Sequence, residues 1–290
     1  MGALAICVSR DAEVRRIVGE ALGAAGVEVA HHAEWPRALD GAAMVVVDRA
    51  IRQAADAALR ELAVPVVVVG DDLDDDRLIT LMLDGAVSHL VGDPGDRDLG
   101  ITSEKLVSGD LFGLEKYVAR GAVVRERAIA NDVDKRVAMG EVSAWAEAIG
   151  ARRPVVHRLA SVVDELLMNA MIDAPRESQP ILASSGTATL RWAADDRVLA
   201  ISVADGYGAI RQRDVIDHVR RARSERGRPE SGRDVGAGLG LYLVLANVAS
   251  LIVNVESGRR TEVVCLFDLA RKERRAVVGR VRSLHVFAAG

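Results

Sequence analysis

The chain has 290 residues, of which 50% are hydrophobic, 28% charged and 3% aromatic. That composition leaves room for two domains of about 100–200 residues each and excludes a mostly disordered chain. A net charge of −4, from 38 basic and 42 acidic residues, gives no electrostatic footprint for nucleic acid.

The longest apolar run, Leu62 to Val69, is far shorter than the about 20 residues of a membrane span. The start, Met1-Gly2-Ala3-Leu4-Ala5, has no basic region and Asp11 cuts its apolar stretch, so no signal peptide is expected. Ile6 stands where N-terminal acylation needs Ser or Thr. The expectation is a cytoplasmic protein without a membrane or nucleic-acid partner. Lys105, Lys116, Lys135 and Lys272 are the only lysines, and the surplus of Arg, Ala, Val and Gly reads as the codon bias of a GC-rich genome. Cys7 and Cys265 lie in separate apolar runs without a metal or redox spacing, and read as buried free thiols.

Strands and helices alternate over residues 3–92. Ala3–Val8 is a short apolar strand. Asp11–Ala25 has helical periodicity, with Val14, Ile17, Val18 and Leu22 on one face, and Gly26 ends it. Val27–Ala30 and Ala43–Val47 are strands, and the latter runs into Asp48. Ala54–Leu62 is helical, Pro65–Val69 a strand, Asp75–Gly85 helical and Val87–Val91 a fifth strand. Fully apolar strands separated by helices predict a doubly wound parallel sheet with function at the strands' carboxyl ends.

This order resembles a response-regulator receiver domain, and Asp48 occupies the place of that family's phosphoacceptor. The rest of that site departs from the pattern. Ser9 and Arg10 stand where an acidic pair would hold Mg²⁺, Gly70 replaces a Thr or Ser, and Gly92 replaces a Lys. Phosphoryl transfer to a carboxylate needs those cations. The expectation is a pseudo-receiver over residues 1–95 that docks a protein partner, with Arg10 in the metal's place beside Asp48. The alternative is that Asp48 simply caps the next helix.

Residues 96–120 read as a connector, opened by the turn-rich Asp93-Pro94-Gly95-Asp96, mixed and helical over Ile101–Tyr117. A strand over Ala122–Ala128 and a helix over Asp134–Ile149 follow. Arg152-Arg153-Pro154 breaks the chain before a long helix, Val155–Ile172. Thr187–Trp192 with Val198–Ala204, and Leu251–Glu256 with Thr261–Leu266, read as hairpins, and Ser283–Phe287 as a last strand. The second half is expected to be α+β, a helix layer over a mostly antiparallel sheet.

Three motifs there carry chemistry. In Asp164-Glu165-Leu166-Leu167-Met168-Asn169-Ala170, Glu165 and Asn169 share a helix face. The amide oxygen is a hard ligand for Mg²⁺, and the carboxylate can accept a proton. An exposed polar pair would look the same. In Ile201-Ser202-Val203-Ala204-Asp205-Gly206-Tyr207-Gly208, a strand delivers an Asp able to accept from an exocyclic amine, beside glycines that admit a flat ring. A plain Asp-Gly turn is the alternative. Gly236-Ala237-Gly238-Leu239-Gly240-Leu241 feeds a helix N-terminus, where backbone N–H groups can face phosphate.

In this order the three look like the N box and the two glycine boxes of the GHKL ATPase superfamily, which includes gyrase and the histidine kinases, over about residues 120–270. The resemblance implies a Bergerat-type α+β sandwich over residues 121–290 that binds ATP with Mg²⁺. By it, Asn169 is the Mg²⁺ ligand, Glu165 the general base and Asp205 the reader of adenine. Gly206 and Gly208, and then Gly236, Gly238, Leu239 and Gly240, match the glycine boxes. Asp173, one turn beyond Asn169, is a further nucleotide-site candidate. Residues 210–235 take the place of the ATP lid and carry eight arginines against five acids. An Arg-rich segment could close over a triphosphate, or be a solvated loop.

His157 lies on the ATP-site helix itself and His31-His32 at a strand end, so autophosphorylation on histidine is not expected. The strand–helix lead-in to Glu165–Ala170 is closer to the anti-sigma-factor serine kinases, which phosphorylate a Ser on a small protein or sequester a sigma factor. The function expected is a cytoplasmic signalling protein: a Mg-ATP-dependent ATPase or protein kinase coupled to a pseudo-receiver. The alternative is a non-catalytic, nucleotide-gated scaffold. A homodimer is expected by analogy alone.

Overall fold

A computed structural model describes residues 2–95, 97–175, 186–224, 239–269 and 283–289, and of residues 221–224, 239, 240, 242 and 243 the backbone alone. It is a mixed α/β structure that divides into two compact units, residues 1–111 with 282–286, and residues 112–281 with 287–290.

In the first unit, β1 (Leu4–Val8), β2 (Glu28–His32), β3 (Ala42–Asp48), β4 (Val66–Val69) and β5 (His89–Val91) are hydrogen-bonded in the order β2-β1-β3-β4-β5, all parallel. β4 is wholly Val and β3 carries the run Met44-Val45-Val46-Val47, and these consecutive residues are buried, so the sheet is covered on both faces. On one face Ala5, Cys7, Met44, Val46, Val67, Val69 and Val91 form a core with Val18 and Leu22 of α1 (Ala12–Ala24) and Leu99 of α5 (Arg97–Ser108). Burial raises the Cys7 thiol to about 12, in keeping with an inert core cysteine. α2 (Arg49–Ala54) packs on β3 and β4, and is followed by α3 (Asp56–Arg60) and α4 (Asp76–Leu83). The single helix expected over Ala54–Leu62 is therefore two short ones. The first begins early because the Asp48 side chain caps it, accepting from Ile51 N at 2.8 Å.

The segment expected as a connector divides. α5 packs on α1 in the first unit, whereas Phe112 onward belongs to the second. Within the first unit β5 also pairs with the start of β11 (Ser283–Ala289), which runs antiparallel to it with His285 opposite His89.

The second unit carries an antiparallel sheet in the order β9-β10-β8-β7-β6: β9 (Ser250–Glu256), β10 (Arg260–Asp268), β8 (Val198–Asp205), β7 (Ala188–Ala194) and β6 (Arg125–Ile129). α6 (Asp132–Ala148) starts at Asn131, whose side chain accepts from Val133 N and Asp134 N. α7 (Arg153–Met168) starts with Pro154 in its first turn, where a missing N–H costs nothing. α7 buries Val155, Leu159, Val162, Val163, Leu166 and Leu167 at helical spacing, packing on α6, β8 and β10. α8 (Gln212–Ser224) packs on α9 (Leu239–Asn247), which in turn packs on α7. The 3-10 turn Leu114–Tyr117 lies against β7 and β8, and Gly113 N donates to the buried Glu262 carboxylate at 2.9 Å.

His89 and His285 are 2% and 1% exposed and stack with ring centroids 5.6 Å apart, beside the buried Lys105. Burial, reinforced by the Lys105 charge, pushes His285 down to about 3, and burial likewise pushes His89 well below the usual range, with the His285 and Lys105 charges adding to it. An unfolded histidine titrates near about 6.5, so between those values the unfolded chain binds more protons and the fold weakens. Stability should be fully present above about pH 6.5 and fall with acid, by at most about 1.4 kcal/mol per pH unit for each histidine. Urea unfolding at pH 7.5, 6 and 5 checks this. The slope should flatten in His285→Leu, and a flat profile in the unaltered protein would contradict it.

Candidate functional site

The strand β8 ends in Asp205, and the turn that follows is built on its carboxylate. Oδ1 accepts from Tyr207 N at 2.8 Å and from Gly208 N at 3.4 Å. Gly208 has φ +59, and a Cβ there would stand 2.2 Å from the Glu256 carbonyl oxygen. The Gly208 carbonyl accepts from Gly258 N at 3.2 Å, so this glycine joins the β8 turn to the β9–β10 hairpin. Gly206 is exposed and meets nothing within 4 Å. The two glycines of the motif thus have different causes: only Gly208 is demanded by packing and backbone.

Asp205 lies opposite Thr261 in the β8–β10 register. Burial raises its pKa from the ordinary carboxylate range, against the lowering effect of the Tyr207 and Gly208 amides and of Thr261. The Thr261 hydroxyl is buried and makes no hydrogen bond of ordinary geometry.

At the end of α7 the helix changes pitch. Asn169–Asp173 is a π-helical turn, in which Ala174 N donates to the Asn169 carbonyl. Such turns are frequent at functional sites. The Asn169 amide is assigned with its nitrogen toward Glu165 Oε1, 3.2 Å away, and Asp173 Oδ2, 3.1 Å away. Glu165 is half-buried, and its pKa is raised first by that burial, then by the Asp164 and Asp173 charges, with Lys135 opposing. Lys135 pairs with Asp164 at 2.6 Å.

Asn169, Asp173 and Asp205 line one pocket of about 850 Å³, counting its solvent-open part. Leu166, Ala170 and Ala174 form one wall, and Val203, Val253 and Val263 of the sheet form the floor. Ile210, Asp214, Val215, His218 and Leu241 close the side of α8 and α9. An apolar cleft with a few convergent polar groups is the usual form of a small-molecule site. Glu165 does not line it, and reaches it through Asn169. Among the described residues no group of three or more His, Cys, Asp or Glu converges to hold a metal ion alone.

Leu239 and Gly240 open α9, and Leu241 lines the pocket. Gly236 and Gly238 lie outside the described residues, as do 225–235 of the expected lid. The described part of that lid is the helix α8, whose Val215, Ile216 and Val219 are buried. Arg213 and Arg220 pair with Asp217, while Arg211 holds Asp214 through Nε at 2.8 Å. Thr261, Asp214 and His218 escaped the sequence reading. Thr261 becomes visible only once the β8–β10 register is known, and the other two once 212–224 is known to be helical.

At the end of β3, Asp48 Oδ2 accepts from the buried Ser9 hydroxyl, and Oδ1 from Ile51 N. Arg10, expected beside Asp48, is exposed and makes no described bond to it; Ser9 takes that place. Arg52, fully buried, bonds Asp71 through Nε at 2.6 Å and Asp75 through Nη2 at 2.7 Å.

No protein-family model matches the chain, and comparison with curated proteins finds no match either. No described helix is long and apolar enough to cross a membrane.

Replacing Gly208 by Ala should destabilise the protein by about 2 kcal/mol or more, through a backbone clash and a left-handed φ. Gly206→Ala should stay within about 0.5 kcal/mol, as at an open surface position. Urea midpoints of the two variants check the contrast, and equal midpoints would sink this account of the turn.

Proposed function

We propose that the second unit binds Mg-ATP in the manner of the GHKL superfamily and acts as an ATPase or serine-kinase-like protein kinase in signalling. In this reading it is a Bergerat-type sandwich, and the first unit is a pseudo-receiver that docks a protein partner. The observation that carries the proposal is that Asn169, Asp173 and Asp205, from motifs far apart in the chain, line one apolar pocket.

The residues present fit the nucleotide and its metal. Asp205 keeps a half-buried carboxyl at the pocket floor, able to accept from an exocyclic amine, with the Thr261 hydroxyl next to it. The apolar walls suit a flat ring and exclude water. Mg²⁺ is commonly held by one or two protein oxygens together with phosphate oxygens. In this reading the Asn169 amide oxygen is that protein oxygen. When bound, the ion supplies neutralisation of the charge on the phosphate oxygens. Glu165, with its pKa raised, accepts a proton from the attacking hydroxyl or water. The backbone N–H groups at the start of α9 face phosphate in this reading.

For the first unit, support comes from five parallel strands in the order β2-β1-β3-β4-β5 with Asp48 at the end of the third. Both Asp48 oxygens are engaged by the protein's own Ser9 and Ile51, which fits docking without phosphorylation.

A second reading, the nucleotide-gated scaffold, is favoured by one observation: Glu165 stands behind Asn169 and not on the pocket wall. Calorimetric titration of ATP, with and without Mg²⁺, followed by ADP release on the same sample, separates the two. Asp205→Ala should weaken ATP binding at least tenfold, about 1.4 kcal/mol. Undiminished affinity in that variant would overturn the assignment. Binding without ADP release would select the scaffold.

A further inference from the structure

We infer that Asp173 is a positioning residue for Asn169: together with Glu165 it holds the amide nitrogen, so that the amide oxygen is the atom offered to the metal. The inference rests on the Mg-ATP reading of the pocket and adds to it the origin of the ligand's orientation.

A primary amide is two-faced. Its oxygen can bind a cation, its NH₂ group cannot, and in a helix-borne Asn a half-turn of the last torsion exchanges them. Something must choose. One end of the amide faces two acceptors, Glu165 Oε1 at 3.2 Å and Asp173 Oδ2 at 3.1 Å, so the nitrogen is assigned there and each N–H has an acceptor. The reverse orientation would set the amide oxygen against two carboxylates and leave both without that donor. The clamp therefore turns the oxygen from both acids.

The helix pitch brings the second jaw into place. Glu165 precedes Asn169 by four residues in regular α-helix and stands to one side of it. In an α-helix Asp173 would fall on the opposite side. The π-turn over Asn169–Asp173, with its longer i→i+5 bond, underwinds the chain and rotates Asp173 back toward Glu165's side. The two carboxylates then bracket one amide, and their mutual repulsion is offset by the N–H groups between them. The π-turn, otherwise an irregularity in a well-packed helix, acquires a role by this account.

Groups that orient a metal ligand without touching the metal commonly matter by about 10–100-fold in metal affinity. The experiment is calorimetric titration of the full chain with Mg-ATP, with ATP in EDTA, and with adenosine. It is done on the unaltered protein, Asp173→Ala and Asp173→Asn. Asp173→Ala should weaken Mg-ATP about tenfold and leave adenosine and metal-free ATP unchanged. Asp173→Asn keeps an oxygen that can accept from the Asn169 nitrogen and should stay within about threefold of the unaltered protein. Equal losses in the two variants would overturn the inference by making Asp173's charge, as a direct ligand, the cause. Undiminished Mg-ATP affinity in Asp173→Ala would overturn it by making the clamp idle. If the unaltered protein binds none of the three ligands, the nucleotide reading itself falls, and this inference with it.

Discussion

A carboxylate at the mouth of an apolar strand must find donors or give up its charge, and each unit contains an instance that bears on its character. Asp48 ends the Val-rich β3, and Asp205 ends β8, whose residues Leu199–Val203 are all buried. The two solve the problem differently. Asp48 is satisfied on both oxygens by local donors, the Ser9 hydroxyl and the Ile51 amide, and has become part of a helix cap. Asp205 spends one oxygen on the turn that follows it and stays half-buried on a pocket floor, with its pKa raised by that burial. The first arrangement is a finished structural device. The second retains hydrogen-bonding capacity at the pocket.

The pocket around Asp205 depends on a backbone contact as much as on side chains. Gly208 packs against the Glu256 carbonyl and hydrogen-bonds Gly258, so the turn after β8 and the β9–β10 hairpin are seated together. That seating keeps Thr261 opposite Asp205 and places Val253 and Val263 on the floor. α7 then lies on β8 and β10, and its π-turn carries Asn169 and Asp173 to the wall. Each functional side chain is thus held by an element with its own buried face, the condition for a precise site.

Local pattern was legible in the sequence; pairing across distance was not. The helix periodicities of Asp11–Ala25, Asp134–Ile149 and Val155–Ile172 and the alternation of apolar strands point to elements that the structure places within a few residues. Apolar spacing encodes a buried face directly. The pairing of β11 with β5 carries no such mark, since nothing near His285 names His89 as its partner. The same holds for the buried Arg52, whose partners Asp71 and Asp75 are distant in sequence and whose charge argues for the surface on composition alone. Ser9 in place of Arg10 at Asp48 is a matter of one residue's alternation along β1 and its end, below the resolution of pattern. In the site, Asn169, Asp173 and Asp205 were singled out by chemistry at a spacing. The π-turn was not, because a one-residue change of pitch leaves the apolar pattern intact.

The charge arrangement behind Asn169 bears on how the proposed turnover would work. Lys135 acts on this cluster, and it pairs with Asp164, one residue from Glu165, at 2.6 Å. Glu165 is therefore left with burial and two neighbouring acids, all of which raise its pKa, against a cation already engaged. A carboxylate with a raised pKa is a stronger base than one in water, which is the property wanted of a group that accepts a proton during phosphoryl transfer. Its oxygen also accepts from the Asn169 amide, so in the proposed mechanism the group that orients the metal's ligand and the group that takes the proton are the same side chain. Glu165 needs no place on the pocket wall for the first task. For the second it needs an attacking hydroxyl or water brought within hydrogen-bond reach, which assigns to the incoming substrate the last step in assembling the proposed site.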